Sequence, residues 1–317
     1  MTFEEVYYNF LKYAQKRHKK QSFDCFVYNF NANILSYFKD YSLNDIDNDL
    51  INSWQDFIFS KGFCNNHNKN LLSMLISFLE YSVLYYNFDS TIIKNILPFK
   101  LNVETNSFDF YTLKEFKKFI KYVDNFVYKT FFEFMFFVGT RPGEAMALKF
   151  SDLKGNFINI NKTIDEHGKR TLGTPKTISS NRCIPINYNL VNKLLKLKKY
   201  YINQYGDNND YFIFGGNKPL APTTINRHKL NACKLANIRP ITLHQFRHSH
   251  ATLLFSYGID VHVISKRLGH SKVSTTLDIY IHANLMQEKR VIKLLNLLQF
   301  NFFDCFVYNF IKKLNIY

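Results

Sequence analysis

The chain has 317 residues, 46% of them hydrophobic, and a formal net charge of +16, so it is long enough for two domains of ordinary size. Its start, MTFEEVYYNF, lacks the basic and small residues of a secretion signal, and no run of about 18 uncharged apolar residues predicts a membrane span. We therefore expect a cytoplasmic protein without a membrane segment. The cysteines lack paired spacing, which indicates reduced thiols and neither a disulfide framework nor a zinc site; they are Cys25, Cys64, Cys183, Cys233 and Cys305.

The positive charge is concentrated in the second part of the chain. Residues 1–106 carry 10 basic and 11 acidic side chains, whereas residues 107–317 carry the other 31 and 14, a net charge of +17. Such an excess is typical of proteins that bind a polyanion, most often nucleic acid. A surface of solvated lysines gives the same count, so charge alone leaves both interpretations open.

The first domain, residues 1–90, is predicted to be entirely helical. Thr2 and Glu5 have the spacing of a capping box at the start of the first helix, which runs to the basic cluster at 16–20. Three further helices follow from the apolar periodicity, over about 22–39, about 45–60 and 70–86. Residues 91–108 contain Pro98 and show no clear period, which predicts a linker.

The second domain, residues 109–298, is predicted to be mostly helical with a small β-sheet. Thr112 and Glu115 form another capping-box pattern, and a strongly apolar helix ends near Gly139. Strands are predicted at 156–160 and within 173–186, and helices resume near 188. The stretch 222–298 is mostly helical, with breaks at Gly258 and Gly269. Residues 299–317 form a tail, in which FDCFVYNF at 303–310 repeats residues 23–30 letter for letter.

The stretch TLHQFRHSHATLLFSYG, residues 242–258, places chemically active side chains on a helix. His244 and Arg247 are three residues apart, so both side chains lie on one face and can donate to one phosphate. Either residue alone is more often a surface or capping residue. The apolar period predicts a buried stripe formed by Leu243, Phe246, His250, Leu253 and Tyr257.

A metal site is not expected in this helix. His244 and His248 have the i, i+4 spacing of zinc ligands, but the glutamate of a metalloprotease helix is missing and no third ligand is evident. We therefore predict no metal and no other cofactor.

Two further stretches carry candidate phosphate ligands. In TRPGEAMALKFSDL, Arg141 precedes a helix start at Pro142, where a guanidinium can bind a phosphate, and Glu144 can hold it in place. A surface salt bridge is the simpler alternative. In GTPKTISSNRCIPI, Lys176 lies on a predicted hairpin, as a solvated side chain or as a proton donor to a site. Arg182, in the same hairpin, is predicted to contact DNA.

Together these stretches resemble the tyrosine recombinase family, the integrases of phages and transposons. TRPGEAMALKFSDL is similar to the family's first arginine motif, GTPKTISSNRCIPI to its lysine hairpin, and HQFRHSHATLL to its His-x-x-Arg box. RLGHSKVSTTLDIYIH, residues 267–282, matches its Gly-His to Tyr segment. The motifs occur in the family's order, and the resemblance covers about 107–290. It implies an all-α core-binding domain followed by an α+β integrase-type catalytic domain.

The resemblance implies that Tyr280 is the nucleophile that forms a covalent 3′-phosphotyrosine. A free tyrosine has a pKa of about 10 and is a weak nucleophile at neutral pH. Arg141 and Arg247, which the family uses to hold the non-bridging phosphate oxygens, favour the phenolate together with Lys176, and all three stabilise the pentavalent phosphate.

The remaining catalytic roles also follow from the resemblance. His270 donates to the same phosphate, and His244 assists proton transfer from Tyr280. Lys176 protonates the departing 5′-oxygen. The tail after 298 is expected to pack on a neighbouring protomer, as this segment commonly does in the family.

The expected function is site-specific recombination of double-stranded DNA by a homo-tetramer in a bacterial cytoplasm, for integration, excision or resolution. The two domains are expected to form a clamp on DNA. A basic cluster contributes candidate backbone contacts or a solvated helix end: Lys12, Lys16, Arg17, Lys19 and Lys20. Two alternatives share these features. One is a DNA-binding relative without catalysis, and the other is a nicking and resealing enzyme of the type IB topoisomerase kind.

Overall fold

A computed structural model describes residues 1–17, 20–99, 109–164, 172–173, 181–208 and 210–270. The chain divides into two compact units, Met1–Asn106 and Ser107–Tyr317. Each unit has its own hydrophobic core. Within the described residues, no helix is both long and apolar enough to cross a membrane.

The described part of the N-terminal unit is helical, apart from turns. Its predicted helices are present. The one expected over about 22–39 consists of α2 (Lys20–Phe30), a π-helical turn at Asn31–Leu35 and α3 (Ser36–Phe38). A short helix, α6 (Ser90–Lys94), overlaps the start of the segment predicted as a linker, and the Asp89 carboxylate caps it by accepting from the Thr91 N–H at 2.8 Å. The helices are α1 (Phe3–Gln15), α2 (Lys20–Phe30), α3 (Ser36–Phe38), α4 (Asn48–Ser60), α5 (Asn65–Tyr86) and α6 (Ser90–Lys94).

A capping box and a buried tryptophan hydrogen bond fix the local structure of this unit. The Glu5 carboxylate accepts from the Thr2 N–H at 2.9 Å, and the Thr2 hydroxyl accepts from the Glu5 N–H at 3.3 Å, which confirms the predicted capping box. The fully buried Trp54 donates from Nε1 to the carbonyl of Asn33 at 2.8 Å. This bond supplies a donor to the π-helical turn, whose altered hydrogen-bond pattern would otherwise leave carbonyls to be satisfied elsewhere.

The C-terminal unit, Ser107–Tyr317, is built around an apolar central helix. That helix, α8 (Phe126–Val138), is buried at seven of its 13 positions, and Lys129 and Glu133 are its two charged residues. α12 packs on it, with the ring of Phe246 stacked 5.5 Å from that of Phe132. The helices of this unit are α7 (Leu113–Lys121), α8 (Phe126–Val138), α9 (Pro142–Ala147), α10 (Tyr188–Tyr205), α11 (Pro222–Ala236), α12 (Leu243–Ser256) and α13 (Val261–Leu268).

Two small antiparallel sheets accompany these helices. In the first, β2 (Phe157–Ile160) pairs with both β1 (Leu153–Lys154) and β5 (Arg182–Pro185), and Ile160 lies opposite Arg182. In the second, β3 pairs with β4. The strands are β1 (Leu153–Lys154), β2 (Phe157–Ile160), β3 (Thr163–Ile164), β4 (Leu172–Gly173) and β5 (Arg182–Pro185).

Most of the helix boundaries predicted in this unit are confirmed, whereas the predicted burial of Tyr257 is wrong. Thr112 and Glu115 form the predicted capping box, α9 begins at Pro142, and α12 begins after Thr242. Tyr257 was predicted on the buried stripe of α12 but is 66% exposed. The helix ends at Ser256 and Tyr257 is its C-cap, so the helical period no longer sets its direction.

Candidate active site

The first component of the site is a guanidinium fixed at the start of α9. Arg141 is the N-cap residue of this helix, after the left-handed Gly139 that ends α8. Its N–H donates to one Glu144 oxygen at 2.9 Å, and its Nη1 donates to the other at 2.8 Å. Its Nη2 donates to the carbonyl of Gly269 at 3.2 Å. The side chain remains 35% exposed, so it is held firmly and still reaches solvent.

Glu144 is a buried carboxylate shared by two arginines. It is 2% exposed, and Arg182 donates to its two oxygens at 3.1 and 2.8 Å. Burial alone would raise the pKa of Glu144, but the hydrogen bonds and positive charges of Arg182 and Arg141 outweigh it and lower the pKa. Glu144 is therefore ionised at neutral pH.

Arg247 is a buried cation with an unused hydrogen-bond donor among the described residues. It projects from α12, is 1% exposed, and donates from Nη1 to the carbonyl of Gly139 at 3.0 Å. Its Nη2 is buried and has no hydrogen-bond partner among the described residues. Burial, followed by repulsion from Arg141, lowers the pKa of Arg247 to about 9. A buried guanidinium in this state favours an anion as its missing partner.

Three histidines lie in the field of these arginines. Burial and then repulsion from Arg247 and Arg141 lower the pKa of His270 to about 3. Partial burial, repulsion from His248 and repulsion from the arginines lower the pKa of His244, although its side chain still reaches solvent. The pKa of His248 is lowered in the same direction, by burial first and then by Arg247. All three imidazoles are therefore neutral at pH 7, and each can donate one N–H.

The geometry gives a metal ion little support. The rings of His244 and His248 lie 4.9 Å apart and nearly perpendicular to each other. Among the described residues, no cluster of three histidine, cysteine or carboxylate side chains is arranged to hold a metal ion. The cations that the structure describes in the site are arginines.

A further layer behind these residues was not recognised from the sequence. His250, 2% exposed, donates from Nδ1 to the carbonyl of Phe136 at 2.9 Å and accepts at Nε2 from the Nε of Arg267 at 3.2 Å. This pattern fixes the neutral tautomer, and burial with the nearby Arg267 lowers the pKa of His250 to about 3. The sequence predicted His250 only as a buried residue, and nothing in it singled out Arg267.

The structure describes some of the other predicted site residues and leaves others outside the described residues. Arg182, predicted to contact DNA, has an 8% exposed side chain that is bonded to Glu144. Lys176, Tyr280 and Lys19 lie outside the described residues, as does the second copy of FDCFVYNF. In the N-terminal unit, the Arg17 guanidinium lies 3.6 Å above the ring of Tyr13. The described basic residues of that cluster are exposed: Lys12, Lys16, Arg17 and Lys20.

Comparison with known proteins connects both units to one family. Residues 109–286 match the phage integrase family, and residues 2–59 match its N-terminal SAM-like domain. The chain is 30% identical to the ICEBs1 integrase of Bacillus subtilis (strain 168) over 279 residues, which are 83% of this chain and 74% of that protein.

Solved structures show the same fold. The Tn1549 transposon integrase, in complex with transposon right end DNA, superposes with a TM-score of 0.74 at 15% identity, over 92% of this chain and 100% of that one. A lambda integrase dimer bound to a COC′ core site gives a TM-score of 0.70 at 17% identity, over 88% and 95% of the two chains.

Proposed function

The chain belongs to the phage integrase family of tyrosine recombinases, and on that premise we propose that Tyr280 is the nucleophile of a site-specific DNA recombinase whose phosphate site is the cluster around Arg247. The observation that carries this proposal is the buried guanidinium of Arg247, whose Nη2 has no partner among the described residues. In a protein interior such a group is costly unless an anion completes its hydrogen bonds. A DNA phosphodiester is that anion.

The charge of the cluster supports this function. Four guanidinium groups and one carboxylate leave a net charge of +3 while the histidines are neutral, and the members are Arg141, Arg182, Arg247, Arg267 and Glu144. A phosphodiester carries one negative charge, and the pentavalent species formed by nucleophilic attack carries more. Fixed cations therefore stabilise the transition state more than the bound substrate, which is the requirement for catalysis.

The proposed reaction needs neither a metal ion nor a nucleotide. The Tyr280 oxygen attacks phosphorus, the bond from phosphorus to the 5′-oxygen breaks, and a 3′-phosphotyrosyl linkage forms. Lys176 gives its proton to the 5′-oxygen, which leaves as a hydroxyl. A 5′-hydroxyl from another strand then attacks the linkage and releases Tyr280, so the bond energy is retained.

The described residues have matching roles in this scheme. Arg141 and Arg247 bind the non-bridging oxygens, with Glu144 fixing the first of them. His270 is neutral and donates its one N–H to the same phosphate. His244 is neutral as well, so it can accept the proton that Tyr280 loses. Binding of the phosphate anion opposes the arginine repulsion that lowers the pKa of both histidines, which makes His244 a better base in the complex.

We further propose that the enzyme works on double-stranded DNA as a homo-tetramer in the cytoplasm. Lambda integrase has been solved as a dimer on a core site and as a tetramer on a Holliday junction. The exposed basic residues at the end of α1 and the start of α2 are suited to phosphate contacts, with Lys12 and Lys20 as examples. Such contacts add affinity that falls as salt rises.

Trapping of the covalent intermediate tests the function. Wild-type protein is incubated with sheared genomic DNA of its host and denatured with SDS, and the DNA that remains attached to protein is sequenced. We expect adducts at a defined site. Tyr280→Phe removes only a hydroxyl, so it should bind DNA as before and form no adduct. Tyr257→Phe is the matched control, because Tyr257 is 66% exposed and caps α12, and it should react normally.

Each alternative has its own result. An inactive DNA-binding relative would give no adduct with the wild type. A topoisomerase-like enzyme would relax supercoiled plasmid without a site requirement and would yield no recombined product. If Tyr280→Phe still forms adducts, the nucleophile is another residue and the proposed site is wrong.

A further inference from the structure

Arg182 bridges three separate parts of the catalytic unit. It begins β5, its side chain is 8% exposed, and all three of its side-chain nitrogens donate within the protein. The two Nη atoms bind the two oxygens of Glu144 at 3.1 and 2.8 Å. The Nε binds the carbonyl of Arg267 at 2.8 Å. A guanidinium bonded in this way is poorly placed to contact DNA, so its role differs from the predicted DNA contact.

The first consequence concerns the charge left to Arg141. Glu144 accepts from the N–H and Nη1 of Arg141 as well as from Arg182, so two cations share one carboxylate. In an isolated pair, Glu144 would neutralise Arg141 one to one and hold its guanidinium away from a phosphate. With Arg182 supplying a second positive charge, Arg141 keeps a net charge for an incoming anion.

The second consequence concerns geometry. Arg182 lies six positions after Lys176, on the strand that pairs with β2, opposite Ile160. The carbonyl it holds belongs to Arg267, three positions before His270. Arg267 in turn donates to the carbonyl of Pro185 at 3.2 Å, at the other end of β5. β5 is thus tied to the end of α13 at both of its ends.

We propose that Arg182 is a positioning residue of the recombinase site, which acts through Glu144 on Arg141 and through the Arg267 carbonyl on the segment that leads to His270. The proposal rests on the function proposed above. Arg182 does not touch the phosphate. It sets the charge and the position of the groups that do, and it links them to the strand that follows Lys176.

Single-turnover cleavage of the mapped DNA site, measured beside DNA affinity and thermal unfolding, tests this role. Arg182→Gln should cleave on the order of 100-fold more slowly, because small displacements of catalytic groups cost about that much. Its DNA affinity should stay within about threefold of the wild type, because no phosphate contact is lost. Arg182→Lys keeps the positive charge but loses the paired Nη donors. Its cleavage rate should therefore fall between those of the wild type and Arg182→Gln.

A second substitution separates positioning from simple structural support. In Arg182→Gln, the Glu144 carboxylate is left to Arg141 alone. Converting that carboxylate to an amide, in the double variant Arg182→Gln with Glu144→Gln, should recover part of the lost rate. A role limited to folding predicts the opposite, since the double variant would be no faster and would unfold at a still lower temperature.

Arg239 offers a matched control in the same unit. It also binds through three nitrogens, to Asp109 at 3.1 Å, to Glu115 at 2.6 Å and to the carbonyl of Phe110 at 2.6 Å. Arg239→Gln should leave the cleavage rate within about threefold of the wild type, because this arginine acts on none of the proposed site residues.

Three results would overturn the proposal. Cleavage by Arg182→Gln at the wild-type rate would remove any positioning role. Weakened DNA binding with a salt dependence smaller by about one phosphate contact would make Arg182 a direct DNA ligand. Equal rate losses in Arg182→Gln and Arg239→Gln would indicate a general loss of structure. Failure of the recombinase function itself appears elsewhere, as a wild-type protein that forms no adduct.

Discussion

Replacement of Gly139 by alanine should destabilise the catalytic unit more than replacement of Gly258, whose backbone carries the same kind of strain. Gly139 ends α8 with a φ of +76°, in the left-handed region where a side chain costs roughly 1–2 kcal/mol. An added Cβ would lie 2.4 Å from Cδ2 of His250 and 2.9 Å from a methyl carbon of Leu268. Relief of such overpacking typically costs about 1–3 kcal/mol more. The total expected loss is about 2–5 kcal/mol.

Gly258 provides the matched control for this prediction. It lies in the same unit with a φ of +81°, and apart from its chain neighbours no heavy atom of the described residues lies within 4 Å of its added Cβ. Gly258→Ala should therefore show only the backbone term, roughly 1–2 kcal/mol. In a domain of about 200 residues, 1 kcal/mol lowers the melting temperature by roughly 2–4 °C. We expect a drop of about 4–20 °C for Gly139→Ala and about 2–8 °C for Gly258→Ala.

Calorimetry of the full chain measures these losses, and fluorescence separates the two units. The one tryptophan of the chain, Trp54, is buried in the N-terminal unit, so its emission follows that unit and should change little in either variant. Gly139→Ala should also cleave DNA slowly, because the Gly139 carbonyl accepts from Arg247. Equal melting temperatures for the two variants would refute the close packing of His250 against Gly139.

The site should also determine how the protein responds to pH, to a chelator and to a modified substrate. Because the folded-state pKa of His250 is about 3 and the unfolded value is about 6.5, the folded state binds fewer protons and loses stability as pH falls below about 6.5. Between about pH 7.5 and about pH 5, the free energy of unfolding of the wild type should fall by about 2 kcal/mol more than that of His250→Gln. Urea titrations that find the same fall in both proteins would contradict this. EDTA should leave adduct formation unchanged, whereas loss of adduct that zinc or magnesium restores would assign His244 and His248 as ligands. DNA with sulfur at the bridging 5′ position should rescue Lys176→Ala but not Tyr280→Phe, because a thiol of pKa about 8.5 leaves without a proton; equal defects on both substrates would remove the general-acid role.

Local signals in the sequence were sufficient to predict most helix boundaries. A capping box needs only residues three apart, so Thr2 with Glu5 and Thr112 with Glu115 were recognisable without tertiary information. The π-helical turn at Asn31–Leu35 was not predictable in this way. Its carbonyl at Asn33 is satisfied by a side chain 21 positions away, and no local pattern marks that contact.

In the candidate site, too, local spacing predicts some contacts and misses those between residues far apart in the sequence. Spacing placed His244 and Arg247 on one helix, and the pair of Arg141 with Glu144 spans a single helical turn. The partner of Arg182 lies 38 positions away, and it is found only when β5 has folded beside the start of α9. Charge is also ambiguous, because a basic residue near a predicted site serves equally well as a DNA ligand or as a buried counter-ion.

Two helix ends explain why the arginines of the cluster are fixed before any phosphate is bound. Arg247 donates to the carbonyl of Gly139 and Arg141 to that of Gly269, and these glycines end α8 and α13 in the left-handed region, with φ of +76° and +72°. The positions of both guanidinium groups therefore follow from where rigid helices stop. In the proposed reaction, cations held in this way would need no rearrangement as charge develops on phosphorus, so they would stabilise the transition state more than mobile lysines would. The burial that lowers the pKa of Arg247 to about 9 is a cost of this arrangement, and it is relieved when an anion reaches its Nη2.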